Sequence, residues 1–150
     1  MSLKAKLRED LTESIRSRNE LRASTLRMVL TAITNEEVSG REAKVLTDAE
    51  VITVLTREAK KRREAAEAFD QGGALDRSQR EKDEGEVIAE YLPRQLSQEE
   101  LNSLISEAIS ATGAQGPSHM GVVMKYLQPR IAGKADGATV SNTVKTALAK

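Results

Sequence analysis

The sequence contains no cysteine. That excludes disulfides, thiolate metal sites and cysteine nucleophiles, and it removes one mark of secretion. Aromatic residues are scarce: Phe69, Tyr91 and Tyr126 make up 2% of the chain, without a tryptophan. An RNA-recognition motif or single-strand-binding surface displays several rings on which bases stack, and this chain has few to offer. No run approaches the ~20 apolar residues of a membrane span. The N-terminal MSLKAKLREDL is charged and amphipathic, unlike a signal peptide. The expectation is a cytoplasmic protein without a membrane partner. An excess of one charge is also missing, because 23 basic residues face 23 acidic ones. Any polyanion site must therefore be a local patch.

What remains is Leu, Ile, Val, Met and Ala, which suit helices. The 150 residues suffice for one domain with a core, or two small ones. Ser2 can cap a helix with Leu3, Leu7, Leu11 and Ile15 at four-residue spacing. SRNE (17–20) reads as a short turn, and Leu26, Val29, Leu30 and Ile33 form a helical face. TDAE (47–50) is a capping box opening a long helix with Ile52, Leu55, Ala59, Ala66 and Phe69 along one side. QGG (71–73) ends it. DRSQREKDEGE (76–86) has no large apolar residue and reads as a solvated helix or loop. Val87, Ile88, Tyr91 and Leu92 then form a buried last turn, closed by Pro93.

SQEE (97–100) is a second capping box, followed by Leu101, Leu104, Ile105, Ala108 and Ile109. After the TGAQGPS loop, Pro117 suits a first helical turn. Met120, Val123, Met124 and Leu127 carry the next helix, which QPRIAGKADG ends. Val140, Val144 and Leu148 mark the last one. No segment alternates with period two between hairpin turns. The expected class is all-α. A long-helix domain of about four helices covers residues 1–94, and a compact three-helix domain covers 95–150, with the boundary in LPRQLS (92–97).

Catalytic patterns are absent. There is one histidine, His119, in a loop or first helical turn, where a capping or surface role fits better than catalysis. No GxSxG, HExxH or Walker A sequence occurs. The acids of REKDEGE could pair for acid–base work, but interleaved bases and polar surroundings favour a solvated face. No metal or cofactor is called for. The basic run Arg57–Arg63, in REAKKRRE, spans about two turns, so its charges cannot all face one way. Ordinary helix surface is the preferred reading over RNA contact. Arg62 falls near the apolar seam and is expected to snorkel or to meet an acid from 81–90.

From Gly113 onward the bases are Lys125, Arg130, Lys134, Lys145 and Lys150, against the single acid Asp136, a local charge of +4. Within this segment lies GKADG (133–137). It is no P-loop, because the lysine precedes the second glycine and no strand leads in. It does not read as a tight helix-turn-helix either, since the connection spans roughly Gln128 to Ala138. Gly133 and Gly137 allow a sharp loop. Two readings stay open. Lys134, Arg130 and the start of the last helix hold one phosphate, or Asp136 or Thr139 caps that helix and the lysine is solvated.

Taken together, LRMVLTAI (26–33), TDAEVITVL, YLPRQLSQEEL (91–101), MGVVMKYL (120–127) and GKADGATVSNTVK resemble the YqeY family, in order and spacing over essentially the whole chain. The resemblance implies a long-helix domain, a three-helix domain, and kinship with the tail of GatB. GatB is a subunit of the glutamine-dependent amidotransferase that corrects mischarged tRNA, and its tail is understood to contact tRNA. A carbon–nitrogen ligase activity with glutamine as amido donor is implied by this kinship alone, since the chain has room for neither the catalytic core nor the glutaminase. Mapped onto this sequence, the motif places Met120, Val123 and Met124 in the core. Gly121 permits close helix packing, while Gly133, Asp136 and Gly137 belong to the loop. Lys125 and Lys134, with Arg130 nearby, are the ligand contacts. The family often has arginine at the position of Lys134, so a point charge here replaces a planar fork.

Three functions follow as expectations. The first is a non-catalytic accessory protein that binds tRNA or structured RNA through phosphates, using Lys125, Arg130, Lys134 and Lys145. The second is an interaction module whose long helices (47–92) dock an amidotransferase or synthetase. The third, an enzyme acting alone, lacks a visible nucleophile, base and oxyanion set.

Overall fold

The computed structural model describes residues 1–149. Among these the chain is all-α: seven α-helices and one 3-10 turn, with no strand. It divides into two compact units, Met1–Leu92 and Pro93–Lys150.

The first unit holds α1 (Leu3–Arg16), α2 (Glu20–Glu37), α3 (Asp48–Gln71) and α4 (Leu75–Ala89). Ser2 caps α1 through the Ala5 N–H, and Thr47 with Glu50 forms the complete capping box of α3. Leu7, Leu26, Val29, Ile33, Val51, Val54, Leu55 and Ile88 form the core, each at most 2% exposed. Full burial of such a side chain is worth about 1.5–3 kcal/mol. On α3 the core takes Val51, Val54, Leu55 and Ala59, while Ile52 and Phe69 of the expected face are only partly buried. Ile15 departs from expectation: it is 52% exposed. Four-residue steps advance about 40° beyond a full turn each time, so three steps carry Ile15 about 120° away from Leu3. The α1–α2 turn places Arg18 in the left-handed region (φ 58°), where glycine is the usual occupant.

The segment 76–86 is also corrected. It is helical and not solvated all round, because Glu81 and Glu84 turn inward onto Arg62, at 3.3 and 3.5 Å. Gly85 lies opposite the Arg62 Cβ, so α3 and α4 approach closely there. Arg62 therefore meets acids of the 81–90 segment, as its position on the seam suggested.

The second unit holds α5 (Gln98–Thr112), the 3-10 turn Pro117–His119, α6 (Met120–Ile131) and α7 (Gly137–Leu148). Ser97 and Glu100 form its capping box, and Gly113 ends α5 in the left-handed region (φ 69°). Leu101, Ile105, Ala108, Val123, Leu127, Ile131, Val140, Val144 and Leu148 are its core. Helix α6 runs further than QPRIAGKADG indicated, to Ile131, with Pro129 inside its last turn. A proline there removes one backbone donor without ending the helix, and buried Ile131 holds the turn in place. The α6–α7 connection is accordingly short, residues 132–136.

Candidate nucleic-acid interface

The short connection brings GKADG into a defined shape. Gly133 adopts φ 73°, a conformation that favours glycine. The Lys134 and Ala135 N–H groups both donate to the Ile131 carbonyl, at 2.8 and 3.2 Å. The loop carbonyls face the segment before α5. Gly133 O accepts from Gln95 Nε2 at 2.7 Å, and Lys134 O accepts from the Leu96 N–H at 2.9 Å. Nothing in the sequence marked Gln95 for this role.

Asp136 is the N-cap of α7, accepting from the Thr139 N–H at 2.9 Å and the Thr139 hydroxyl at 3.1 Å. The carboxylate occupies the place a phosphate would take at a helix start. Of the two readings of this loop, the capping one is realised at the helix terminus. Lys134 is exposed. Gly121 and Gly137 depart from their expected roles: a Cβ at either would meet nothing within 4 Å, and neither has positive φ. Gly121 is exposed on α6 and permits no close helix packing.

Lys125 and Lys145 are exposed on α6 and α7. Lys145 lies in the last turn of α7, where a cation complements the helix dipole. Lys125 and Arg130 are five residues apart, about 140° around the helix axis, and Lys145 lies about 12 Å along α7 from its start. The four cations therefore spread over a surface and do not converge on a pocket. Arg130 differs from the lysines. Its guanidinium carbon sits 3.8 Å from the Tyr126 ring centre, and its Nη1 donates to the Tyr126 carbonyl at 2.7 Å. The Tyr126 hydroxyl donates to Glu107 Oε1 of α5 at 3.3 Å. The Tyr–Arg spacing of four residues is a helical-neighbour signal that sequence reading could have used.

His119 is exposed and accepts the Gln115 N–H on Nδ1 at 2.9 Å. A shallow groove of ≈ 270 Å³ between α5 and α7 is lined by Asn102, Ile105, Ser106, Thr143, Thr146 and Ala147, none of them ionisable. Among the described residues no three His, Cys, Asp or Glu side chains group as metal ligands, and no helix is long and apolar enough to cross a membrane.

The perturbed groups are structural. In the first unit Tyr91 donates to Asp10 Oδ2 at 2.6 Å, and Arg22 donates to the Tyr91 hydroxyl at 2.8 Å and to Glu90 at 2.6 Å. Burial, then the bond to Asp10, pushes the Tyr91 hydroxyl above its ordinary pKa. Glu37 is held low by Lys4 at 2.6 Å and by the Leu46 N–H at 3.1 Å, which fastens residues 38–46. In the second unit Arg94 grips Glu100 with two bonds, at 3.0 and 2.6 Å. That fork, with the Ser97 N–H, lowers Glu100 to about 2. The basic run of α3 is largely engaged. Arg57 meets Glu36, Lys61 meets Glu58 and Arg62 meets Glu81 and Glu84, while Arg63 is exposed.

An uncharacterized protein of Schizosaccharomyces pombe is 34% identical over 97 residues, 64% of this chain and 76% of its own length. Altered inheritance of mitochondria protein 41, mitochondrial, of Clavispora lusitaniae is 26% identical over 134 residues, 87% of this chain and 77% of its own length. The family model of the Yqey-like proteins matches residues 4–148, nearly the whole chain, and the chain belongs to that family.

Proposed function

We propose that this protein is a non-catalytic accessory factor that binds tRNA or another structured RNA through its second unit. The observation that carries the reading is the surface of α6, α7 and their connection. Lys125, Arg130, Lys134 and Lys145 are all exposed there, in a segment whose one acid is the helix cap Asp136. Their spread suits successive backbone phosphates better than a single small anion. Recognition then rests on shape and phosphate position, as with folded RNA. The resemblance of the family to the tail of GatB, which is understood to contact tRNA, supports the same reading. A docking role for α3 and α4 would use the residues their core leaves outside, among them partly buried Ile52 and Phe69 and exposed Leu75.

Titration of the full-length chain with total tRNA across a salt series tests this. Replacing Lys125, Arg130 and Lys134 together with alanine is expected to weaken binding and to flatten the slope of log K against log salt by roughly 2. An unchanged slope removes this surface from the interface.

A further inference from the structure

Arg130 is more than one cation among four. Its guanidinium lies 3.8 Å over the Tyr126 ring, and a bond of 2.7 Å to the Tyr126 carbonyl fixes the orientation of the fork. The ring is itself anchored to α5 through Glu107. Tyr126 is half-buried while Arg130 is exposed. One face of the guanidinium plane is thus backed by the ring, and the side chain still reaches solvent. Two of the few planar groups in this unit are stacked, held from two helices, and displayed between Lys125 and Lys134 in the chain.

We infer that Tyr126 and Arg130 form a platform on which one unpaired nucleobase stacks. The inference rests on the RNA-binding reading of this surface and narrows its ligand class to RNA with an accessible loop, bulge or single-stranded end. Bases stack on guanidinium planes as they do on aromatic rings, and such stacking tolerates any base. An ammonium group offers no plane, so the lysines cannot substitute. Local fixation also removes in advance much of the rotamer freedom that an exposed arginine would lose on binding. The scarcity of aromatics had argued against stacking. A single backed arginine supplies one stacking position without requiring several rings.

The test uses the full-length chain and two RNA hairpins of identical sequence. In one the loop is intact, and in the other the loop nucleotides are abasic. Both carry the same phosphates. The wild-type chain is expected to favour the intact loop by about tenfold. Arg130→Lys, which keeps the charge, is expected to bind both hairpins alike and to retain the wild-type salt slope. If the wild-type chain binds both hairpins equally, or Arg130→Lys still discriminates as well as wild type, the platform is refuted while RNA binding stands. If the wild-type chain binds neither hairpin nor tRNA at low salt, the RNA reading falls and the platform with it.

Discussion

In the unit spanning Met1–Leu92, basic side chains meet acids across helices. Lys4 pairs with Glu37, Arg22 with Glu90 and Asp10, Arg57 with Glu36, and Arg62 with Glu81 and Glu84. In the unit spanning Pro93–Lys150, Arg94 pairs with Glu100. Exposed pairs contribute little stability individually. Their arrangement matters more for the field outside the protein. Interleaved opposite charges cancel at a distance, whereas Lys125, Lys134 and Lys145 face solvent on a surface with few acids. In the first unit these pairs tie helices together, whereas the second presents exposed Lys125, Arg130, Lys134 and Lys145 on α6, α7 and their connection.

The contrast can be broken from either side. Arg62→Leu should produce the largest effect, because it leaves Glu81 and Glu84 facing each other with side chains only 19% and 12% exposed. A loss of about 2 kcal/mol is expected in urea unfolding followed by circular dichroism. A loss below about 0.5 kcal/mol would mean that the pairing is ordinary surface chemistry. Tyr91→Phe removes the bond to Asp10 but keeps the ring, and about 1 kcal/mol is expected from the same measurement.

The smallest expected effect is a pH dependence at the start of the second unit. Glu100 titrates at about 2 in the folded chain, against an ordinary value of 4.5. A depressed carboxylate contributes stability that is complete above the ordinary value and is lost as pH falls through the folded one. The N-terminal turn of α5 should therefore loosen between about pH 4.5 and 2, read by amide exchange at residues 98–101, and Glu100→Gln should flatten that dependence. A dependence that survives in the variant would assign it to another group.

Local chemistry is legible in the sequence, and of the remote contacts Arg62 with Glu81 and Glu84 is legible too, from its place on the apolar seam. Both capping boxes, the helix faces and the all-α class follow from residues within one or two turns of each other. The Tyr91–Asp10–Arg22 cluster joins positions 81 and 69 residues apart, with no spacing rule to announce it. The same holds for Gln95 and Leu96 binding the carbonyls of the GKADG loop. Pro129 in isolation signals a helix stop, but buried Ile131 two residues later carries α6 past it. Gly121 looked like a packing glycine because glycine often is one, but only the fold reveals the open space beside it. The cations themselves were visible. Their distribution over a surface instead of around a pocket was not, since it depends on where α6 ends.

The most direct test compares salt slopes of tRNA binding for two full-length variants. One carries Lys125→Ala, Lys134→Ala and Lys145→Ala; the other carries Arg57→Ala and Lys61→Ala, whose side chains are paired in the first unit. A slope reduced by roughly 2 is expected in the first variant and a wild-type slope in the second. Equal slopes in all three proteins, or a loss confined to the Arg57 and Lys61 variant, would contradict this expectation.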